Sequence, residues 1–300
     1  MEVKLIAFES FGVRSQATLV YTGDVKIAID PAVSLAPRRF GLPPHAKEVE
    51  RMLELAKEIE REAIEADIIV VTHYHYDHHD PGKFVNNNIY KDKTLVIKNP
   101  EVNINPNQKY RRAPFFLKII KDKPNKIIYG DGKVIKLGNT EISFSNALPH
   151  GADKRLGYVM PVFIKAKGES FLFTSDVEGI PLDEHLHYVK KMKPDFIVLD
   201  GPLTYLLGSA LSDEEFLKSI NNIKEVIRGG IRTMIIDHHV MRDPNYDERI
   251  SQLRDEAERF KVELFNAAQY MRKPFEPLEM RRKELYKEDP RRGDIINIKR

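Results

Sequence analysis

Six short apolar runs in this chain stop at, or within three residues of, an aspartate or a histidine. Run 25–29 ends in Asp30, 68–71 leads to His73, and 142–148 leads through Pro149 to His150. Run 171–173 leads to Asp176, 196–199 ends in Asp200, and 234–236 leads to Asp237, His238 and His239. Such runs read as buried strands. In layered α/β folds the carboxyl ends of strands converge, and that is where sites form. A single aspartate after a strand is usually a turn residue; six strand ends carrying ligand-type side chains imply one site assembled from distant parts of the sequence.

The segments between these runs fit that architecture. Residues 4–8, 17–22 and 25–29 read as strands, with 22–24 as a hairpin turn. A proline-rich loop spans 31–44, and a helix follows over 46–65, where Val49, Met52, Leu53, Ala56, Ile59 and Ala63 recur at helical spacing. Residues 94–98 predict a strand, and 107–122 a basic helix interrupted at Pro114. Strands are expected at 126–129, 133–137, 140–147, 158–166, 170–175, 196–199, 231–236 and 262–265. Helices are expected near 183–192, 212–228 and 246–259, with one more beyond 267; Ser212 and Glu215 form a capping box for the second. A β-rich stretch thus leads into strand–helix alternation twice, before residue 90 and after residue 125. No Gly/Ser linker divides the chain, so residues 1–300 read as one layered α/β domain with a basic tail at 281–300.

Composition narrows the chemistry. The chain has no cysteine, which excludes disulfides, thiolate-bound zinc and thiol catalysis. Any metal must be held by histidine and carboxylate. The net charge of +3 gives little reason to expect a nucleic-acid partner, although the tail alone carries eight Lys/Arg against four acids. No apolar run approaches the roughly 20 residues of a membrane helix, and the first residues read as a strand. The expectation is a cytoplasmic protein. Abundant Lys, Glu and Ile resemble a hyperthermophile's composition.

The segment Thr72-His73-Tyr74-His75-Tyr76-Asp77-His78-His79 follows the run Ile-Ile-Val-Val. In an extended segment, side chains at i and i+2 point the same way, so His73 and His75 can grip one metal. A turn then lets Asp77 and His78 face a neighbouring position. Imidazole and carboxylate suit zinc, and also iron or manganese. A chance His-rich surface loop would not place five such groups in seven residues at the mouth of a buried strand.

The HxHxDH segment, followed by His150, Asp176 and a late histidine, resembles the metallo-β-lactamase superfamily over residues 1 to about 265. The segments Asp-Pro-Ala-Val-Ser-Leu-Ala-Pro-Arg-Arg, Leu-Pro-His-Gly, Leu-Gly-Tyr-Val and Asp-His-His-Val-Met-Arg-Asp resemble an archaeal family within it. The resemblance implies a four-layer αββα sandwich with the site at one edge of the paired sheets. It implies that His73, His75 and His150 hold a first divalent metal, that Asp77, His78 and His238 hold a second, and that Asp176 bridges them. Asp30 would steady the motif loop through hydrogen bonds. The last ligand is His238 or His239; His238, nearer the strand end, is preferred. His79 is expected to be structural or at the rim, and Asp200 a turn or supporting group.

Two such cations activate a water for attack on an ester-like centre, with Asp77 or a late histidine handling the leaving-group proton. The expected function is therefore hydrolysis of a small anionic ester, lactone or phosphoester. Arg38 and Arg39, in the loop that begins at Asp30, are expected to hold the anionic group, because the arginine fork suits phosphate and carboxylate. The alternative in which they pair with acids of the 46–65 helix stays open. A nuclease reading draws on the basic, aromatic segment from Lys109 to Lys126 and on the tail; a solvated helix and a frayed terminus explain both more simply. A non-catalytic metal-binding scaffold is the third reading, and the presence of every ligand class argues against it.

Overall fold

The computed structural model describes residues 1–293. Two mixed sheets face each other. The first contains β1 (Glu2–Phe8), β2 (Gln16–Tyr21), β3 (Lys26–Ile29), β4 (Ile68–Val71), β5 (Thr94–Ile97) and β6 (Lys126–Tyr129), in that spatial order. Its first two pairings are antiparallel and the rest are parallel. The second sheet contains β7 (Val134–Leu137), β8 (Thr140–Phe144), β11 (Val162–Ala166), β12 (Glu169–Phe173), β13 (Phe196–Leu199), β14 (Thr233–Ile236) and β15 (Glu263–Phe265). Its order is β15-β14-β13-β12-β11-β8-β7, parallel from β12 to β15 and antiparallel elsewhere. A two-stranded ribbon, β9 (Leu148–Pro149) with β10 (Tyr158–Val159), sits between β8 and β11 in sequence. Each sheet thus runs from hairpins into parallel strands, the repeated pattern visible in the sequence.

Alternation along the second sheet creates its two faces. Phe171, Phe173, Phe196, Val198 and Ile235 pack toward the first sheet and α1 (Ala46–Ala63). Their neighbours Leu172, Ile197, Leu199, Met234 and Ile236 pack instead against α4 (Asp213–Arg228) and α6 (Ser251–Phe260). Side chains of a strand alternate with period two, so one strand serves both layers. Each fully buried Leu, Ile or Phe adds roughly 1.5–3 kcal/mol, so cores of this size hold the strand ends in place without help from a metal. Among the described residues no helix is long and apolar enough to cross a membrane.

Several expected elements differ in detail. Pro114 does not break the helical winding, which runs from residue 106 to 120; its regularity changes just before the proline, where Gln108–Arg112 wind as a π turn that leads into α2 (Ala113–Ile120). The strand expected at 140–147 ends before the ribbon, at Phe144, and the one expected at 158–166 is broken after it, by Met160-Pro161. The helix expected over 246–259 is two, α5 (Tyr246–Arg249) and α6, parted at Ile250. The helices α3 (Asp183–Met192) and α7 (Ala267–Tyr270) lie near their expected places. The start of the tail is not an appendage. It forms α8 (Arg282–Glu288), whose Arg282 is fully buried and donates to both Glu48 oxygens at 2.7 and 2.8 Å. The residues after 293 lie outside the described part.

Candidate metal centre

The loop after β4 winds back on itself: the backbone N–H groups of His78 and His79 both donate to His75 O. This turn brings the His73 and His78 rings to 4.1 Å and the His73 and His75 rings to 4.6 Å. Asp30, one residue beyond β3, fixes the loop from below. Its Oδ1 accepts from Thr72 N at 2.7 Å, and its Oδ2 accepts from Thr72 Oγ1 at 2.6 Å and from His78 Nδ1 at 2.8 Å. The second sheet and the β9–β10 ribbon supply the opposite wall. His150 follows β9, Asp176 follows β12, and His238 and His239 follow β14. Asp30, Ser175, Glu178 and His238 all have positive φ, from 48° to 88°, without being glycine. Strain of this kind gathers where surrounding structure holds a residue for a purpose.

Two groups of ligand atoms result. His73, His75, His150 and Asp176 each offer an atom within 4.8 Å of the others, and so do Asp77, His78 and His238. Asp176 lies between them. Its Oδ2 is 3.1 Å from His78 Nε2, 3.3 Å from His150 Nε2 and 3.7 Å from His73 Nε2. Its Oδ1 is 3.6 Å from His238 Nε2. The structure thus brings together seven residues that span 165 positions of sequence, from His73 to His238. The Nε2 atoms of His73, His78 and His150 are buried and make no hydrogen bond. Three buried imidazole nitrogens thus converge on one carboxylate oxygen, at 3.1 to 3.7 Å. That donor set fits a transition-metal ion.

His239 sits beside this arrangement. Its Nε2 is 3.7 Å from Asp176 Oδ2, and it forms a further group with Asp176 and His238. Its Nδ1 donates to Asp200 Oδ2 at 2.8 Å. Asp200 also accepts from Glu178 N and Gly179 N, so it ties the loop after β12 to the histidine pair. His79 points away from the centre. Its Nδ1 donates to His75 O, and its ring stacks on Tyr76 and meets Phe116 edge-on.

Most of the ring positions are set by residues outside the expected ligands. Glu9 Oε2 accepts from His238 Nδ1 at 2.6 Å, and Arg242 donates to Glu9 Oε1 through Nε at 2.7 Å. Arg242 Nη2 lies 3.0 Å from His238 Nε2 and 3.5 Å from Nδ1. Gln16 Nε2 donates to Asp176 Oδ1 at 2.6 Å, which leaves Oδ2 for the histidines. Gln108 meets His75 Nε2, and Glu178 Oε1 lies 3.3 Å from His150 Nδ1. Gly151 has φ 79°, and a side chain there would collide with the Glu178 carboxylate. Glu9 carried the same signal as the six runs, an acid directly after an apolar strand. Gln16 carried none, since a glutamine at the start of a strand looks like any edge residue.

Charge divides the imidazoles. Burial and the neighbouring His78 hold His73 well below its ordinary range; burial and His150 bring His75 down to about 3. Burial likewise keeps His239 neutral and His79 down to about 4. Burial also pulls on His78, His150 and His238, but carboxylates on both sides outweigh it. Asp176 and Asp30 raise His78 well above its usual value, Asp176 and Glu178 raise His150 to about 10, and Glu9 and Asp176 raise His238 to about 9. Burial disfavours the charged forms of Asp77 and Asp176, yet the facing histidines hold both below the usual carboxylate range. Asp200 goes the other way, raised by burial and by the charge of Asp176. The centre is built to hold positive charge.

The two substrate-facing arginines expected from sequence part company. Arg38 is exposed. Arg39 is half-buried and donates from Nη2 to Arg242 O at 2.8 Å. Its nearest carboxylate is Glu279 at 4.0 Å, not an acid of α1. The basic segment after residue 107 spends part of its charge locally: Lys109 donates to Glu101 O, and Arg112 donates to Tyr74 O and stacks on Tyr76.

No family model matches the chain. Over 295 residues it is 54% identical to the UPF0282 protein of Sulfolobus acidocaldarius, covering 98% of this chain and 96% of that one. Its relatives come from thermophilic archaea. Among solved structures it is similar to unliganded yeast PDE1, with a TM-score of 0.52 and 15% identity over 88% of this chain and 96% of that one. It is also similar to the metallo-β-lactamase fold protein YhfI from Bacillus subtilis, with a TM-score of 0.48 and 16% identity over 88% and 94%. The fold is the metallo-β-lactamase fold, two mixed sheets flanked by helices, as the sequence resemblance implied.

Proposed function

The chain belongs to the UPF0282 family, and from that premise and the geometry of the centre we propose that it is a hydrolase using two divalent transition-metal ions, zinc foremost, on a small anionic ester, lactone or phosphoester. One observation carries the reading: three buried imidazole nitrogens converge on Asp176 Oδ2, with Asp77 and His238 closing a second group beside them. His73, His75 and His150 would hold the first ion, Asp77, His78 and His238 the second, and Asp176 both. Such a pair of ions lowers the pKa of a water toward about 7 and polarises the ester oxygen.

The residues of the chain do the rest. Asp30, Glu9, Glu178 and Gln16 orient the ligands, so little rearrangement is needed as chemistry proceeds. Asp77, whose side chain keeps 16% of its surface exposed and which the facing histidines keep ionised, would accept the proton that the attacking water gives up and return it to the leaving group. The partly spent basic segment gives the nuclease reading no added support.

The test is a screen of phosphodiester, lactone and thioester substrates with chelator-treated and reloaded protein. Hydrolysis should vanish on chelation and return on reloading. Turnover that survives complete metal removal refutes the proposal.

A further inference from the structure

Three guanidinium groups, those of Arg14, Arg39 and Arg242, cluster behind Asp77 and His238, with Glu9 and Glu279 among them. Arg14 takes both oxygens of Glu279, at 2.6 and 2.7 Å. Arg242 takes Glu9 Oε1, and Glu9 Oε2 is already held by His238. Arg39 is the cation left over. Its Nε stands 4.0 Å from Glu279 Oε1, is buried, and makes no hydrogen bond. Burial, the largest influence on it, pushes its guanidinium below the ordinary value.

The fold nevertheless fixes this cation in place. Its Cζ lies 4.6 Å from the ring centres of both Phe40 and Tyr205, a stacked seat that suits guanidinium. Arg39 and Leu42 exchange both backbone hydrogen bonds across a tight turn. The turn's central residues, Phe40 and Gly41, have φ of 54° and 78°. A phenylalanine in the left-handed region is strained, so the turn is held against a local cost. Arg39 Nη2 bonds the backbone of Arg242, whose own Nη2 reaches to 3.8 Å from Asp77 Oδ2. An immobilised cation that shares its nearest carboxylate, Glu279, with Arg14 thus bonds the backbone of the arginine that faces Asp77, with 15% of its side-chain surface open.

We infer that Arg39, seated between Phe40 and Tyr205, anchors an anion subsite that takes a phosphate or carboxylate group of the substrate while the scissile bond lies at the metals. The inference rests on the hydrolase reading for what the anion is attached to, but the subsite itself needs no metal. Arg38, exposed on the same loop, is not part of it.

The probe is inorganic phosphate, titrated calorimetrically at low ionic strength into metal-loaded and chelator-treated protein. Arg39→Met should weaken phosphate binding by about 10-fold or more in both forms, the scale of one charge-assisted hydrogen-bonded contact. Arg38→Met should change it by less than about two-fold, the loss of a solvated charge. If Arg39→Met melts early, Arg39→Lys keeps the charge and most of the packing but not the fork, and should still lose several-fold. Equal losses at Arg38 and Arg39, or none at Arg39, overturn the subsite. Should the protein take up no metal while the Arg39 dependence persists, the hydrolase reading falls and the subsite stands.

Discussion

The loop after β4 delivers His73, His75, Asp77 and His78 within six residues, whereas the β9–β10 ribbon delivers His150 and the second sheet delivers Asp176 and His238, each after a different strand. The first group is a local property: spacing and one turn bring its rings together, and Asp30 needs only the neighbouring strand to steady them. The second group exists only once β12 and β14 are in register and both sheets have closed on each other. The contrast teaches where each kind of residue must be sought. A contiguous cluster is supported from within its own sheet; a dispersed one is braced across the gap between sheets, by Glu9 and Gln16 from the β1–β2 side.

Asp176 joins the two groups, so its loss tests the contrast most severely. Asp176→Ala should remove stable metal uptake at both positions and abolish hydrolysis. Far-UV circular dichroism should stay native, because the cores do not depend on the centre. A variant that still binds metal at full stoichiometry would show that the local group suffices alone.

The bracing residues should give a smaller effect. Gln16→Leu keeps the volume but loses the bond to Asp176 Oδ1, and Glu9→Gln weakens the hold on His238. Each should lower metal affinity by roughly 10- to 100-fold, the range for removing a partner that orients a ligand. Competition with a chromophoric chelator measures this, and the visible spectrum of cobalt-substituted protein should change in both variants. Unaltered affinity and spectrum would mean that the dispersed ligands need no brace.

The smallest effect is on stability against pH, measured by thermal melting. In metal-free protein His150 and His238 have values raised to about 10 and about 9, above an unfolded value near 6.5. Their contribution is complete below pH 6.5 and is lost as pH rises through 9 to 10. His75, held down to about 3, acts oppositely: stability falls as pH drops from 6.5 toward 3. Metal-loaded protein should not show the alkaline loss, since bound ligands no longer carry those protons; it should instead release metal below about pH 6. An alkaline loss of equal size in both forms would detach these histidines from the metal.

Much of this was legible in sequence because strand ends announce themselves. The runs ending at Asp30, Asp176 and Asp200 pointed to the centre without any long-range information. The choice between His238 and His239 was not legible, since two adjacent histidines after one strand differ only in backbone conformation. The φ of 88° at His238, held by Asp237 accepting from its N–H, turns it toward Asp77, while His239 gives Nδ1 to Asp200 and keeps Nε2 3.7 Å from Asp176 Oδ2, so both stay in one candidate group with Asp176. Gln16, Arg242 and Tyr205 were invisible for the same reason: their roles arise from tertiary packing, and nothing in their local sequence marks them. Arg38 and Arg39 looked alike on the page, and the aromatic seat formed with Tyr205 separates them.

The proposed centre is a pair of metal positions sharing Asp176. Metal-free protein titrated with zinc, followed by elemental analysis after desalting, tests it directly. Two ions retained per chain, falling below one in Asp176→Ala, is the result expected; no retained zinc, or uptake unaffected by Asp176→Ala, would contradict it.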